Sequence, residues 1–170
     1  ASRGFENLAN SMTALGNTFM VLESERRQKE AAAMRLAETS KFVLSVTQDV
    51  DRLFTEAERD KPENISKWQQ PIADKFQEYW EYINGIQDDP QLKALVTSKH
   101  VELQTAYGKK FNDLATKKNH AFAQTQFFNS YDYFLKGYLN AGDEQTESMH
   151  MTNLAEAISR AETGGVISPE

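Results

Sequence analysis

A chain of 170 residues is long enough to bury one sizeable core and needs no second domain. A net charge of −6 argues against a general nucleic-acid binder, which displaces counterions with a basic face. The absence of cysteine removes disulfides, thiolate metal sites and cysteine nucleophiles together.

The first predicted element is one helix of about 55 residues, roughly 80 Å at 1.5 Å per residue. Apolar residues fall at Phe5, Leu8, Met12, Leu15, Phe19 and Leu22 in alternating steps of three and four, the spacing of a partner-helix seam. The same register continues through Arg26 and Lys29 to Ala33, Leu36, Ser40, Val43, Thr47, Val50 and Phe54. Past the two cations it is expected to enter the core, with Leu36 and Val43 buried. Small residues there, Ala31, Ala32, Ala33 and Ala37, suit large rings from a later helix.

Pro62 ends the pattern, so a turn is expected over residues 59–64. A second helix carries Ile65, Trp68, Ile72, Phe76, Tyr79, Trp80, Ile83 and Ile86 on one broad face. Pro71 either kinks it or stands in its true first turn with the preceding residues as a lead-in. It stops near Gly85, before Asp88, Asp89 and Pro90. A third helix runs from about Pro90 to Asn140, with a core face of Leu92, Val96, Leu103, Tyr107, Phe111 and Leu114, then Phe122, Phe128, Tyr131, Leu135 and Tyr138. Gly142 stops it and Asp143 caps a last helix ending near Thr163, with Met151, Leu154, Ala155 and Ile158 on one side. The fold class is therefore all-α: an elongated antiparallel helical bundle or coiled coil built on the first helix, with two or three more. Residues 1–163 form one domain, and 164–170, opening on Gly164 and Gly165, read as a linker or tail.

Six lysines between positions 90 and 120 face only Glu102 and Asp113, a local +4 that leaves −10 on the rest of the chain. They form either a basic face on an acidic body or a solvated helix surface. No HExxH or Glu-x-x-His spacing, phosphate-binding loop or nucleophile elbow occurs, so the chain is read as a non-enzyme with no metal and no cofactor. Arg26 and Lys29 interrupt the seam. They bind an anion, set a partner's register, or mark where the helix becomes solvated beside Glu23, Glu25 and Glu30. The aromatics from Phe122 to Tyr138 are too dense for one face and form core or a ligand cage.

Phe5-Glu-Asn-Leu-Ala-Asn-Ser-Met-Thr-Ala-Leu-Gly-Asn-Thr-Phe19, with Leu53-Phe54 and the run from Phe76 to Tyr82, resembles the BAR region of sorting nexins over about the first 80 residues. The resemblance implies a curved antiparallel dimer that contacts anionic, phosphoinositide-bearing membrane, with Lys109, Lys110, Lys117 and Lys118 as the contacting residues. The run from Tyr133 through Lys136-Gly137 to Asp143-Glu144 is similar to a helix turn in bacterial extracytoplasmic helical sensor domains. That similarity implies a small ligand held between long helices, near Arg26 and Lys29 or the aromatic cluster.

The expectation is a helical interaction or scaffold module that self-associates or binds another helical protein through the seam, with anionic membrane as a second partner and no nucleic acid. Its alternative is the ligand-sensing bundle. The first reading places the chain in the cytoplasm, peripheral to membranes; the second places it in the periplasm.

Overall fold

The computed structural model describes residues 2–169. It is all-helical among the described residues, with α1 (Ser2–Arg59), a 3-10 helix (Pro62–Trp68), α2 (Gln69–Asn84), α3 (Pro90–Leu139) and α4 (Glu144–Thr163). None of these helices is long and apolar enough to cross a membrane.

The helix boundaries follow local chemistry. Asp60 closes the end of α1: its carboxylate accepts from the Lys61 amide at 2.8 Å, Asn64 Nδ2 at 3.0 Å and Trp68 Nε1 at 2.9 Å. The bonds from Asn64, Trp68 and Lys61 hold its pKa below 3.8. Pro62 then opens the 3-10 helix, where its missing N–H costs nothing. Pro71 stands in the first turn of α2, so of its two expected placements the lead-in arrangement is the one adopted. Asp89 precedes Pro90 and accepts from the Leu92 amide at 3.1 Å, capping α3. Asp143 caps α4 through the Thr146 amide and hydroxyl at 2.7 and 2.8 Å.

The chain divides into two compact units, Ala1–Gln48 with Phe76–Glu102, and Asp49–Lys75 with Leu103–Glu170. In the first, α1 contributes Thr39, Phe42 and Val46 to the core, α2 contributes Phe76 and Ile83, and α3 contributes Val96 and His100. The Phe42 ring meets Tyr79 edge-on at 5.4 Å and stacks on Tyr82 at 5.8 Å. Arg35 Nε reaches both carboxylate oxygens of Asp89, at 3.0 and 2.9 Å, and ties the loop before α3 to α1.

In the second unit the core is Val50, Phe54, Ala57, Ile65, Ile72, Tyr107 and Ala161. Phe54 packs on Tyr107 and Phe111 at 5.5 and 6.3 Å, and Tyr107 donates its hydroxyl to Asp51 at 2.7 Å. Gly137 lets α4 approach α3, because a Cβ there would lie 2.6–2.8 Å from the His150 ring. Residues beyond α4 turn back on positive-φ Gly165: the Val166 amide bonds Ala161 O at 2.8 Å, and Gln124 Nε2 donates to Val166 O at 3.1 Å. The expected tail is thus partly anchored.

One expectation fails within α1. The buried row is Thr39, Phe42, Val46, Val50, Phe54 and Ala57, whereas Leu36 is 64% exposed, Ser40 is exposed and Val43 only half-buried. The steps of this row average about 3.6 residues, the period of a straight α-helix rather than the 3.5 of a supercoiled seam. Over Thr39 to Val46 the row sits one residue ahead of the heptad register, which is about 100° around the axis. Ala32, Ala33 and Ala37 are exposed, so no aromatic helix covers them. On α3 Phe122 and Phe128, and on α4 Met151 and Ala155, are likewise exposed rather than core.

Candidate association surface

Every described residue from position 3 to 22 is exposed, and so the whole predicted seam is uncovered: Phe5, Leu8, Met12, Leu15, Phe19 and Leu22 are 58–80% accessible. Their exposure is unusual because they are contiguous, spaced for a helix–helix seam, and joined by Met20 and Val21. Positions flanking the seam are Gly4, Ala9, Ser11, Gly16 and Thr18, small and uncharged, so a second helix can approach closely.

Beyond Leu22 the charge pattern changes. Arg26 lies 4.0 Å from Glu23 and 3.5 Å from Glu30, and Arg27 lies 3.0 Å from Glu23. Lys29 is exposed. Arg26 and Lys29 therefore mark a solvated, charge-balanced interval of the helix and are not gathered into an anion pocket in this unit. The apolar register then reappears on the outer side of α1 as Ala33 and Leu36. Beside it an open groove runs between α1 and α3, lined by Ala32, Leu36, Ala94, Leu95 and Ser98 with Arg35 and Gln91. Leu95 is 43% exposed.

The four lysines assigned to membrane contact divide into two pairs. Lys118 donates to the carbonyls of Glu58 and Asp60, the latter at 2.8 Å, and so satisfies the end of α1. Lys110 lies 3.8 Å from Asp51 and 4.9 Å from the Phe54 ring centroid. Lys109 and Lys117 are exposed.

The aromatic stretch of α3 is partly packed: Phe127 sits edge-on to Phe128 at 5.3 Å, and Phe128 and Tyr133 remain largely exposed. An open groove between α3 and α4 is lined by Phe127, Phe134, Asn153, Glu156 and Arg160, among others. Among the described residues, no three His, Asp or Glu side chains are grouped to hold a metal.

Sequence reasoning passed over His100, which is completely buried. Its Nε2 lies 3.0 Å from Phe76 O, its ring meets Trp80 at 4.7 Å and Phe76 at 5.4 Å, and Nδ1 has no hydrogen-bond partner among the described residues. Burial lowers its pKa below 6.5, partly offset by the Phe76 carbonyl. The signal was present: His100 fills the gap between Val96 and Leu103 in a run of steps four, three and four that ends at Tyr107.

No family model matches this chain, and no curated protein or solved structure matches it either.

Proposed function

We propose that the chain is a non-enzymatic helical association module whose N-terminal arm, residues 5–22, pairs with a second copy of itself. The observation that carries this reading is the complete exposure of a strict apolar seam on a helix that packs normally further along.

Energetics favour a partner. Residues 4–22 include two Gly, three Asn, two Thr, a Ser and a Val, and average roughly 0.5 kcal/mol per residue below Ala in helix propensity, or ~9 kcal/mol in all. Even an Ala helix gains only ~0.3 kcal/mol per residue, so the isolated arm is a poor helix by a few kcal/mol. Covering its six seam residues returns roughly 1–2 kcal/mol each, about 6–12 kcal/mol, which reverses the balance.

The test is the mass in solution by light scattering across a range of concentrations. A dimer or larger species is expected, and Leu15→Lys with Phe19→Ser should reduce it to the single-chain mass while circular dichroism loses little beyond the arm. A native chain that stays monomeric at high micromolar concentration rejects the reading. Membrane-surface contact rests on fewer groups, Lys109 and Lys117, and would appear as salt-sensitive co-sedimentation with phosphoinositide vesicles.

A second reading, a ligand-sensing bundle, is favoured by the α3–α4 groove, where Phe127 and Phe134 stand beside Asn153, Glu156 and Arg160. It predicts that a small aromatic or anionic metabolite raises the melting temperature. A broad screen without a shift removes it.

A further inference from the structure

We infer that the second copy binds in one particular way: its arm lies antiparallel along the outer face of α1, with its Phe19 seated at the Leu36–Leu95 groove. This rests on the self-association proposed above and adds the receiving surface, the direction and the register.

The receiving surface is the outer register of α1 after the charged interval. Ala33, Leu36 and Ser40 are exposed and Val43 half-buried, because the inner stripe of Thr39, Phe42 and Val46 supplies the contacts within the chain. In this unit, therefore, α1 has two apolar stripes on different faces, and only one is covered. The uncovered stripe changes character along its length. Its arm half carries large side chains, Phe5, Leu8, Met12, Leu15, Phe19 and Leu22, whereas its second half alternates small with large, Ala33, Leu36, Ser40 and Val43.

Large residues pack best against small ones. A parallel pair in register would set Phe19 on Phe19 and Ala33 on Ala33, crowding one layer and leaving a void in another. Reversing one chain and keeping the seam positions opposed in heptad fashion sets Leu22 of one copy against Ala33 of the other, Leu15 against Ser40 and Phe19 against Leu36. Leu95, Ala94 and Ser98 of α3 widen the surface at that last layer into the groove. Shifting this register by one heptad in either direction sets Arg26 against Leu22 or against Leu36, so cations face apolar groups.

In the preferred register the charged interval lies on the two-fold axis. Arg26 faces Lys29, and Glu23, Glu25 and Glu30 of both copies surround the four cations. Residues 23–30 of each copy hold three acidic and three basic side chains, so the interval is neutral and self-complementary. The contact is isologous, because each copy offers an arm and receives one. At roughly 100 Å² for each large side chain covered, Met12, Leu15, Phe19 and Leu22 of the two arms with Leu36, Val43 and Leu95 of the two receiving surfaces bury about 1,400 Å² together, within the range of a stable dimer.

Because the chain has no cysteine, single-cysteine variants read the register directly. Leu15→Cys and Ser40→Cys would be prepared separately, checked for dimer mass under reducing conditions, mixed and oxidised. The two sites are ~37 Å apart on one helix, too far for an intrachain disulfide. The expected product is the mixed Leu15→Cys/Ser40→Cys disulfide, in roughly tenfold excess or more over either homodisulfide. A prominent Leu15→Cys homodisulfide, or a dimer in which no mixed disulfide forms, overturns the antiparallel register and leaves self-association standing. A chain that is monomeric before oxidation overturns both.

Discussion

Acid should loosen the first unit through a single side chain. His100 is fully buried among Phe42, Phe76 and Trp80, with Nδ1 unpartnered, and burial keeps its pKa below the ordinary 6.5. The unfolded chain therefore takes up the proton first as pH falls through 6.5, so stability present above that pH is lost below it until the folded form also protonates. For a ring that stays neutral in the fold throughout, the loss between pH 7.5 and 5.5 reaches about 1.4 kcal/mol. The depressed carboxylates Asp60, Asp89 and Asp143 act in a separate window. Their contribution is full above 3.8 and declines only below it. His100→Leu removes the titration, and Phe76 O keeps its helical bond within α2, so at pH 7.5 the variant should lie within about 1.5 kcal/mol of the native chain. Urea unfolding of both proteins at the two pH values, at equal concentration, measures the difference. If native and His100→Leu lose the same stability over that interval, the ring is not the acid-sensitive element and the linkage reasoning fails.

Two further predictions concern packing. Phe54, 1% exposed and in contact with Tyr107 and Phe111, should cost about 3–5 kcal/mol when replaced by Ala, read from the denaturant midpoint; a cost under about 1 kcal/mol would mean the second unit's core lies elsewhere. Gly137→Ala drives a methyl against His150 and should destabilise by about 1–3 kcal/mol, whereas Gly108→Ala, with open space around it in mid-helix, should stabilise by about 0.5–1 kcal/mol. A melting temperature that rises for Gly137→Ala as it does for Gly108→Ala would contradict the close approach of α4 to α3.

Much of the helical framework was readable because its punctuation is local. Pro62 and Pro90 can only stand outside or at the start of a helix, Asp89 and Asp143 can cap one, and Gly165 accepts a positive φ. The apolar arm was equally readable, since a run of three-and-four steps needs no knowledge of neighbours. What went wrong was extending its phase. Because a seven-residue repeat slips about 20° per heptad on a straight helix, the row extrapolated from the arm passes outside the core at Leu36, Ser40 and Val43 and meets it only at Val50 and Phe54. Phe42, Val46, Val50 and Phe54, spaced by four, already marked the face that is buried.

The lysines show the same division at the level of single side chains. Composition revealed a local positive excess, but whether a lysine meets solvent or its own fold depends on what lies opposite. Lys110 meets Asp51 and Phe54, and Lys118 meets the carbonyl end of α1, some sixty residues away in sequence. His100 is the same case in reverse, a polar residue in an apolar row whose burial only the meeting of α1, α2 and α3 makes evident.

By itself, then, the sequence determined that this protein is helical, where the breaks around Pro62, Pro90 and Gly142 fall, and that residues 5–22 carry apolar side chains in alternating steps of three and four. Those features depend on backbone restrictions and on periodicity within one helix. Tertiary structure decided which stripe of α1 is spent inside the chain and which is left over, because that choice turns on helical phase accumulated over many turns and on the bulk of side chains brought from α2 and α3.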